Sequence, residues 1–399
     1  MLKKRLLIGF TALILAFQFW PATGFANHGG PHEEVAADEI ALAGNALSAV
    51  LIDADTGTVI YEKKSHEQLP PASITKIMTM LLTMEAIDKG KLKMTDKVMA
   101  SEYASSMGGS QIFLEPGEEM TVDELLKGVA MASGNDASVA LAEKIAGTEK
   151  AFVQMMNDKV KELGLKDTHF SNCNGLPADN HYSSAHDIAM MSRELLKYEG
   201  ITKYTGSYQD YLRKQSEKPF WLVNTNKLVR FYSGADGLKT GYTSEAKFCL
   251  AATAKRDGLR LIAVVLGEPN TKTRNSEVSA MFDYAFSQYA LHPIYKAGEI
   301  IGKVKVTKGE ASQLELAASK TMSVLIKKGT EPGSITQKLE APEKLAAPVK
   351  QGQVIGKLVV YQNGEALTEF ELKAASDVKK AGWWTMFKRT ASHLFFVDS

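Results

Sequence analysis

One short motif, Ser73-Ile74-Thr75-Lys76, has two polar ends that could catalyse acyl transfer. On a helix, residues three positions apart lie on the same face, so Lys76 would stand one turn from Ser73. Apolar residues follow the motif, and a lysine held against a buried surface is costly unless it is paired or neutral. A neutral lysine can take the proton of a serine hydroxyl. The motif therefore predicts Ser73 as a nucleophile and Lys76 as its general base. The simpler alternative is that Ser73 is only a helix cap.

A second motif, Ser133-Gly134-Asn135, falls between two predicted helices. The functional interpretation places the Ser133 hydroxyl near Lys76, where it would pass protons, and lets Asn135 hold a substrate amide. The alternative is a plain turn with Asn135 as a helix cap.

The third motif, Lys239-Thr240-Gly241, precedes an apolar, strand-like run that starts at Phe248. A lysine at a strand edge is usually a solvated residue that opposes aggregation. In the functional interpretation, Lys239 attracts a substrate carboxylate and lowers the pKa of Lys76. Gly241 leaves room for a substrate to lie along this strand as an additional strand.

The order of the three motifs is more specific than any one of them. The S-x-x-K pattern recurs at Ser244-Glu245-Ala246-Lys247 and at Ser376-Asp377-Val378-Lys379, and neither copy precedes a buried helix. The S-x-N and K-T-G patterns occur once each. A set of these three motifs is typical of penicillin-binding proteins and class A β-lactamases.

The elements that would position the motifs predict an α+β domain over residues 45–292. A β-hairpin is expected at residues 48–61, a buried helix from about Ser73 to Lys89, and further helices over residues 121–200. Two strands around the turn Asp257-Gly258 precede a helix that starts at Arg274. We expect a helical cluster on an antiparallel sheet that is built from both ends of this segment.

The pattern changes after residue 292. Residues 297–374 alternate apolar and polar positions between Gly and Pro turns, which predicts a small all-β domain. Residues 377–397 return to helical period, with Trp383, Trp384 and Phe387 on one side. Such a helix is typical of a membrane interface, although packing on the β domain is the alternative.

The start of the chain resembles a secretory signal over residues 1–26, with Lys3, Lys4 and Arg5 before an apolar run. An uncleaved membrane anchor is the alternative, and residues 27–44 are expected to be a loose lead-in. Both versions place the protein outside the cytoplasm, at the outer face of the cytoplasmic membrane or in the cell-wall space.

The composition of the chain mainly argues against certain classes of ligand. The formal net charge is +1, so no global field favours nucleic acid. Cys173 and Cys249 could pair in an oxidising compartment, but we favour two unpaired, structural cysteines. No Cys/His cluster has zinc spacing, so neither a metal nor a cofactor is predicted.

With these motifs, the chain resembles the low-molecular-mass penicillin-binding proteins that are D-alanyl-D-alanine carboxypeptidases, as found in endospore-forming Gram-positive bacteria. The resemblance covers nearly the whole chain. The stretches that carry it are Pro71-Ala72-Ser73-Ile74-Thr75-Lys76-Ile77-Met78-Thr79, Gly109-Ser110-Gln111-Ile112-Phe113-Leu114, Ser133-Gly134-Asn135-Asp136-Ala137 and Gly237-Leu238-Lys239-Thr240-Gly241-Tyr242-Thr243.

The resemblance implies a mechanism and partners. Ser73 would attack the bond between the two terminal D-alanines of a peptidoglycan stem peptide, and β-lactams would acylate the same residue. Backbone N–H groups of Ser73 and Tyr242 would form an oxyanion hole. Lys239 and Thr240 would hold the terminal carboxylate, with help from Arg274. Position 242 is Tyr where well-known relatives carry His, and the loop at Asn224-Thr225-Asn226 lacks an arginine that some relatives have.

Four alternatives stay open at this point. The same site could serve a D,D-endopeptidase, or a β-lactamase if a carboxylate activated the deacylating water. The chain could be a non-catalytic penicillin-binding wall protein. A Ser-His-Asp triad could use His169, His181 or His186, but no serine lies in a G-x-S-x-G elbow.

Overall fold

The structure is a computed structural model that describes residues 41–318 and 320–387 of the chain. The predicted signal, nearly all of the predicted lead-in, and residues 388–397 of the predicted C-terminal helix lie outside the described residues. The chain divides into two units, residues 1–41 and residues 42–399, and the second unit holds the three motifs.

The strands, in chain order, are β1 (Ser48–Asp53), β2 (Val59–Lys63), β3 (Lys97–Met99), β4 (Glu119–Thr121), β5 (Gln209–Leu212), β6 (Phe220–Val223), β7 (Ala235–Thr243), β8 (Lys247–Arg256), β9 (Leu259–Glu268), β10 (Tyr289–Tyr295), β11 (Ile300–Thr307), β12 (Gln313–Ala317), β13 (Met322–Lys327), β14 (Ile335–Glu340), β15 (Lys344–Ala346), β16 (Val354–Gln362) and β17 (Glu365–Ala374).

The α-helices are α1 (Lys76–Asp88), α2 (Glu102–Ser105), α3 (Val122–Lys127), α4 (Asn135–Ala146), α5 (Glu149–Glu162), α6 (Ala185–Leu195), α7 (Thr202–Thr205), α8 (Leu228–Phe231), α9 (Thr271–Gln288) and α10 (residues 383–387). Short 3₁₀ turns span Ala72–Thr75, Glu199–Ile201 and Pro332–Ser334, and a π-helical turn spans Gly128–Ala132.

The main sheet is antiparallel, with the strand order β2-β1-β9-β8-β7. It joins strands from the start of the predicted domain to strands near its end, as predicted. The turn at Asp257-Gly258 has positive φ at both residues, which matches the right-handed twist of a tight hairpin. Helix α6 lies against β1 and β9 on one face, and α9 lies against β8 and β9 on the other. Because both faces are covered, β8 and β9 are apolar and buried along most of their length.

Helix α1 runs through the larger core. It is buried on nearly all sides, which fits its mostly apolar sequence. The expected helix from Ser73 to Lys89 is confirmed except at its start, where Ala72–Thr75 forms a 3₁₀ turn. Side chains of Thr121, Thr148 and Ser184 accept hydrogen bonds from the first turns of α3, α5 and α6, as N-caps do.

The C-terminal part is all β, as predicted. A six-stranded sheet has the order β14-β16-β17-β12-β11-β15, and β10 pairs with β13. A separate apolar core lies within it, centred on residues such as Val304, Leu316, Leu358 and Leu372. Strand β10 spans residue 292, so the exact domain boundary stays a prediction. The predicted fold class, an α+β domain followed by a small all-β domain, is confirmed.

The described part of the terminal helix begins at residue 383 rather than at residue 377. The preceding residues are extended because Val378 pairs with Val349 and Lys380 with Gly309 through isolated bridges. Within the described residues, no helix combines the length and the apolar character needed to span a bilayer.

Candidate active site

Ser73 lies in the 3₁₀ turn that leads into α1, between a sheet strand and a loop. The preceding residue, Ala72, has a φ of 48°, and Gly175 approaches this turn from the other side. A Cβ on Gly175 would lie 1.9 Å from the carbonyl oxygen of Ala72 and 2.9 Å from the amide nitrogen of Ser73. Only glycine allows this close backbone contact with the turn. Gly175 also adopts a left-handed conformation, with a φ of 86°, which glycine tolerates without strain.

Lys76 stands one turn after Ser73, as its spacing predicts. Its Nζ donates to Ser73 Oγ at 3.0 Å, to Asn135 Oδ1 at 2.6 Å and to the Asn174 carbonyl at 2.5 Å. The side chain is fully buried. Burial lowers the pKa of Lys76 to about 7, against the raising effect of Cys173 and Asp136. Burial is the main cause of this shift, and the repulsion between Lys76 and Lys239 acts on the pKa of Lys239.

Asn135 begins α4 and lies in the site, but its amide is already engaged. Its Oδ1 accepts from Lys76, and its Nδ2 donates to the Gly108 carbonyl at 2.7 Å. Gly109 permits this approach, because a Cβ there would lie 2.9 Å from Asn135 Nδ2. In this structure Asn135 positions the lysine, which is a different contact from the substrate amide expected from the sequence.

Ser133 ends the π-helical turn and adopts a left-handed conformation with a φ of 64°. Its hydroxyl is buried and has no hydrogen-bond partner among the described residues. No hydrogen bond therefore joins the Ser133 hydroxyl to Lys76, and the expected proton transfer between them stays a prediction. A non-glycine residue in this conformation, with an unsatisfied buried hydroxyl, is a strained arrangement of the kind that clusters at functional sites.

The third motif lies on β7, the strand at the edge of the main sheet. Lys239 is buried, and its Nζ donates to the Thr240 carbonyl at 2.9 Å. Burial and the charges of Lys76 and Arg274 hold the pKa of Lys239 well below its usual value. Lys239 is thus not a solvated edge residue, and the three cations lie close enough to repel one another.

Gly241 packs against the nucleophile turn. A Cβ on Gly241 would lie 2.9 Å from the Pro71 carbonyl oxygen and 3.1 Å from Ile74 Cγ1. The glycine therefore brings β7 close to Ser73. The missing side chain makes room for the nucleophile turn, and the predicted room for a substrate stays a prediction.

Tyr242 and Arg274 are the remaining residues of the predicted site. Tyr242 is 57% exposed, and its ring lies tilted against the Phe248 ring at 4.5 Å between centroids. Arg274 is buried, and its Nε and Nη2 donate to Asn275 Oδ1 at 3.1 and 3.0 Å. Burial lowers the pKa of Arg274 to about 10, which leaves the guanidinium charged at neutral pH.

Sequence reasoning missed several residues of this site. The Asn174 carbonyl accepts from Lys76, and Thr225 Oγ1 accepts from Thr240 Oγ1 at 2.7 Å. Thr225 lies in the loop of this chain that lacks the arginine which some relatives have. The loops that carry Asn174 and Thr225 have no periodic pattern, and a backbone carbonyl leaves no mark in a sequence.

The histidines do not form a triad with Ser73. His181 bonds Thr75 Oγ1 at 2.7 Å, His169 bonds the Asn180 carbonyl, and His186 bonds Asp187. The two cysteines are buried and free, as favoured from the sequence. The described residues contain no cluster of His, Cys, Asp and Glu side chains that could hold a metal ion.

The fold as a whole is that of a penicillin-binding protein. Penicillin binding protein 5 from Haemophilus influenzae superposes with a TM-score of 0.71 at 32% identity, over 84% of this chain and 98% of that chain. Residues 289–380 match the C-terminal domain of penicillin-binding protein 5.

The part of the chain that contains the three motifs matches a more narrowly defined family. Residues 33–270 match the peptidase S11 family, described as D-alanyl-D-alanine carboxypeptidase. The chain is 55% identical to the D-alanyl-D-alanine carboxypeptidase DacF of Bacillus subtilis (strain 168), over 97% of this chain and 98% of that protein. It is 32% identical to the D-alanyl-D-alanine carboxypeptidase DacC of Escherichia coli (strain K12), over 85% and 86%. The chain belongs to the peptidase S11 family of D-alanyl-D-alanine carboxypeptidases, for which covalent serine catalysis and β-lactam binding are typical.

Proposed function

We propose that Ser73 is the nucleophile with which this carboxypeptidase removes the terminal D-alanine from peptidoglycan stem peptides. The observation that carries the proposal is the hydrogen bond between Lys76 and Ser73 at the start of a buried helix, with a lysine pKa of about 7. A base of this pKa is poised to accept a proton near neutral pH.

The three partners of Lys76 fit its neutral form. A neutral amine has two N–H groups and one lone pair. In that form the two N–H groups would donate to the Asn135 and Asn174 carbonyl oxygens, and the lone pair would accept from the Ser73 hydroxyl 3.0 Å away, in place of the donation to Ser73 Oγ. Lys76 can then take the hydroxyl proton as Ser73 attacks the scissile carbonyl carbon.

The acylation step then proceeds as follows. The bond between Ser73 Oγ and the carbonyl carbon forms, and the bond to the last D-alanine nitrogen breaks. The departing amine takes up a proton from Lys76, by way of the Ser133 hydroxyl. Water later hydrolyses the acyl-enzyme and regenerates Ser73. The buried, unpartnered Ser133 hydroxyl supports this transfer role, since it has unused hydrogen-bonding capacity.

We assign the substrate's terminal carboxylate to the cationic wall of Lys239 and Arg274, beside the Thr240 hydroxyl. An anion bound there would relieve the repulsion that lowers the pKa of Lys239. The peptide backbone would pair with β7, whose outer edge is free in the main sheet. The backbone N–H groups of Ser73 and Tyr242 would hold the developing oxyanion.

A β-lactamase would need a carboxylate that activates the deacylating water. Among the described residues, no carboxylate bonds Ser73 or Lys76. Asp136, whose charge reaches Lys76, accepts from the backbone N–H groups of Ile112, Leu114 and Ala137. These contacts give Asp136 a structural role. Because no carboxylate is then left to activate the deacylating water, we expect a β-lactam to be released slowly from Ser73.

The test is D-alanine release from an acylated peptide that ends in D-Ala-D-Ala. We expect release by the wild type and none by Ser73→Ala. Ser376→Ala is the matched control, because Ser376 starts an S-x-x-K pattern outside the site and should leave activity unchanged. Full activity in Ser73→Ala would refute the proposal. Labelling with a fluorescent penicillin should follow the same pattern.

We also propose that the protein acts outside the cytoplasm and binds the membrane surface through its C-terminal end. The Phe387 ring stacks on the rings of Trp383 and Trp384, and Trp383, Trp384 and Phe387 are 75%, 57% and 53% exposed. Exposed aromatic rings of this kind are typical of membrane interfaces. The basic start and apolar run at residues 3–19 support export.

The membrane proposal can be tested without disturbing the β domain. Truncation after Gly382 keeps the bridges made by Val378 and Lys380. We expect the truncated protein, and a Trp383→Ser, Trp384→Ser, Phe387→Ser variant, to lose sedimentation with anionic vesicles while keeping peptidase activity. Equal sedimentation of all three proteins would rule the proposal out.

A further inference from the structure

A buried carboxyl group that the mechanism does not use lies at the end of β9. Glu268 is 0% exposed, and its backbone pairs with Phe248 of β8. Neither carboxyl oxygen accepts a hydrogen bond from an N–H or O–H group of the described residues. An ionised carboxylate in such a place would be very costly.

The acidic group that faces Glu268 is Glu277 of α9, the helix packed on β9, and the pKa values of both groups are shifted by a hydrogen bond between the two carboxyls. Two carboxyl groups can bond each other only if one of them carries a proton. Glu277 Oε1 accepts from Asn45 N at 2.9 Å and from Asn45 Nδ2 at 2.6 Å, and its Oε2 accepts from Ala46 N at 3.3 Å. Because Glu277 is an acceptor throughout, Glu268 is the group that holds the proton.

The ionisation of the two groups agrees with this geometry. Burial, followed by the bond to Glu277 and its charge, raises the pKa of Glu268 to about 8. Burial also opposes the charged form of Glu277, but the hydrogen bonds from Glu268 and Asn45 outweigh it and leave the pKa of Glu277 below its ordinary value. At neutral pH the pair is one acid and one carboxylate.

Arg274 connects this pair to the substrate wall. It lies one turn before Glu277 on α9, and the charge interaction between Arg274 and Glu268 is favourable when Glu268 is ionised. The Arg274 charge also reaches Lys239. Among the described residues Arg274 makes no ion pair, and its hydrogen bonds go to the neutral Asn275 amide. Its positive charge is therefore not neutralised within the protein.

We propose that Glu268 is a positioning residue: as a neutral acid that donates to Glu277, it supports Arg274 without pairing with it, so that the guanidinium charge remains available to the substrate carboxylate. This inference rests on the proposed function, since it takes Arg274 as part of the carboxylate-binding wall. The charged and titratable groups that face Glu268 are Glu277 and Arg274 of α9, Lys63 of β2 and the Cys249 thiol of β8.

The consequence appears at alkaline pH. As Glu268 ionises, an anion is created whose charge reaches Arg274 and competes with the substrate carboxylate for the guanidinium charge. The Michaelis constant for a peptide with a free terminal carboxylate should rise, by about tenfold if one charged hydrogen bond is lost. The turnover number should change less, since Ser73 and Lys76 are not in contact with this pair.

The experiment measures kcat and KM for D-alanine release between pH 7 and 9.5. We expect KM of the wild type to rise through pH 8, and KM of Glu268→Gln to stay flat, because glutamine is neutral and keeps an N–H donor toward Glu277. Asp283→Asn is the matched control on the same helix, and it should behave as the wild type. Asp283 is exposed and bonds Tyr232 and not Arg274.

The possible outcomes separate the two proposals. If the wild type releases no D-alanine at pH 7, the proposed function fails. If the wild type is active but its KM is flat, or rises equally in Glu268→Gln, the inference about Glu268 alone is overturned. A second readout does not depend on any variant: ¹³C chemical shifts of labelled glutamate carboxyls should show one group titrating near pH 8. Titration of every glutamate below pH 6 would overturn the inference.

Discussion

Asn135 Oδ1 accepts a hydrogen bond from Lys76 Nζ at 2.6 Å, so the asparagine of the second motif holds the lysine of the first. The contact joins the start of α4 to the start of α1 across 59 residues of sequence. A neutral amide is the acceptor that this position requires. It satisfies a buried N–H without adding the negative charge that would keep the lysine protonated.

The first prediction concerns the neutral charge of the Asn135 amide. In Asn135→Asp, a carboxylate beside Lys76 raises the lysine pKa above its value of about 7. Acylation by a penicillin requires the neutral amine, so its rate rises with pH through the pKa of Lys76. We expect the acid limb of the rate profile to move up by at least about one pH unit, with acylation at least about fivefold slower at pH 7.

The measurement is the second-order rate of labelling by a fluorescent penicillin between pH 5.5 and 9.5. The control is Asn363→Asp, an identical substitution at an exposed position of the β domain. An unchanged acid limb in Asn135→Asp would mean that another group serves as the base.

The second prediction concerns the backbone contact behind Ser73. In Gly175→Ala, the new Cβ would have to occupy space 1.9 Å from the Ala72 carbonyl oxygen, so the nucleophile turn must shift. A displacement of about 1 Å in a reacting group costs about a hundredfold in rate. We therefore expect acylation to fall at least that far.

The matched control is Gly147→Ala. Gly147 has a φ of 81°, close to the 86° of Gly175, but no atom lies within 4 Å of its ideal Cβ. Both variants carry the same left-handed backbone strain, of about 1 kcal/mol, and only one has the clash. Acylation and thermal unfolding are measured on both. Equal losses of activity in the two variants would show that backbone strain alone is responsible.

The third prediction concerns acid stability. His181 is buried between Thr75 Oγ1, at 2.7 Å from its Nε2, and the Ser171 amide, which donates to its Nδ1 at 3.0 Å. Because Nδ1 accepts, the ring is neutral, with its proton on Nε2. Burial, with smaller effects of the His169 and Lys76 charges, lowers the pKa of His181 to about 4 from an ordinary 6.5.

The folded state therefore binds fewer protons than the unfolded state between these two pH values. The contribution of His181 is fully present above about pH 6.5 and is lost as the pH falls toward 4, by about 3 kcal/mol. Urea unfolding at pH 7, 6, 5 and 4.5 should show the loss, and His181→Gln should flatten it. A His181→Gln variant with the same pH slope as the wild type would assign the loss to other groups.

The sequence predicted the parts of this site that follow a pattern. The apolar residues around Lys76 indicated burial, and periodicity located α1, α4, α6 and the hairpin of β8 and β9. What it missed depends on contacts distant in sequence. The Asn174 carbonyl and the clash that excludes any side chain at Gly175 belong to an irregular loop. The packing of Gly241 against Pro71 was missed for the same reason, since only the folded chain brings β7 against that residue.

The start of the terminal helix shows how pairing overrides periodicity. Residues 377–382 fit the helical pattern of the tail, yet Val378 and Lys380 form bridges to residues that precede them by 29 and 71 positions, at Val349 and Gly309. Long-range pairing of this kind cannot be recognised from a single local window.

The last prediction concerns Thr225, whose Oγ1 accepts a hydrogen bond from Thr240 Oγ1 at 2.7 Å. We place Thr240 on the substrate carboxylate, so its single O–H would turn to the carboxylate on binding and its oxygen would then accept from the Thr225 hydroxyl. Thr225→Val keeps the shape of the side chain and removes this donor, so the Thr240 hydroxyl loses its fixed direction. Since one neutral hydrogen bond contributes about 1 kcal/mol, KM for a D-Ala-D-Ala peptide should rise about fivefold while kcat changes little. Thr225→Ser restores a hydroxyl at the same position and should restore KM. If Thr225→Val and Thr225→Ser raise KM equally, the effect comes from packing of the loop, and the hydrogen bond has no part in substrate binding.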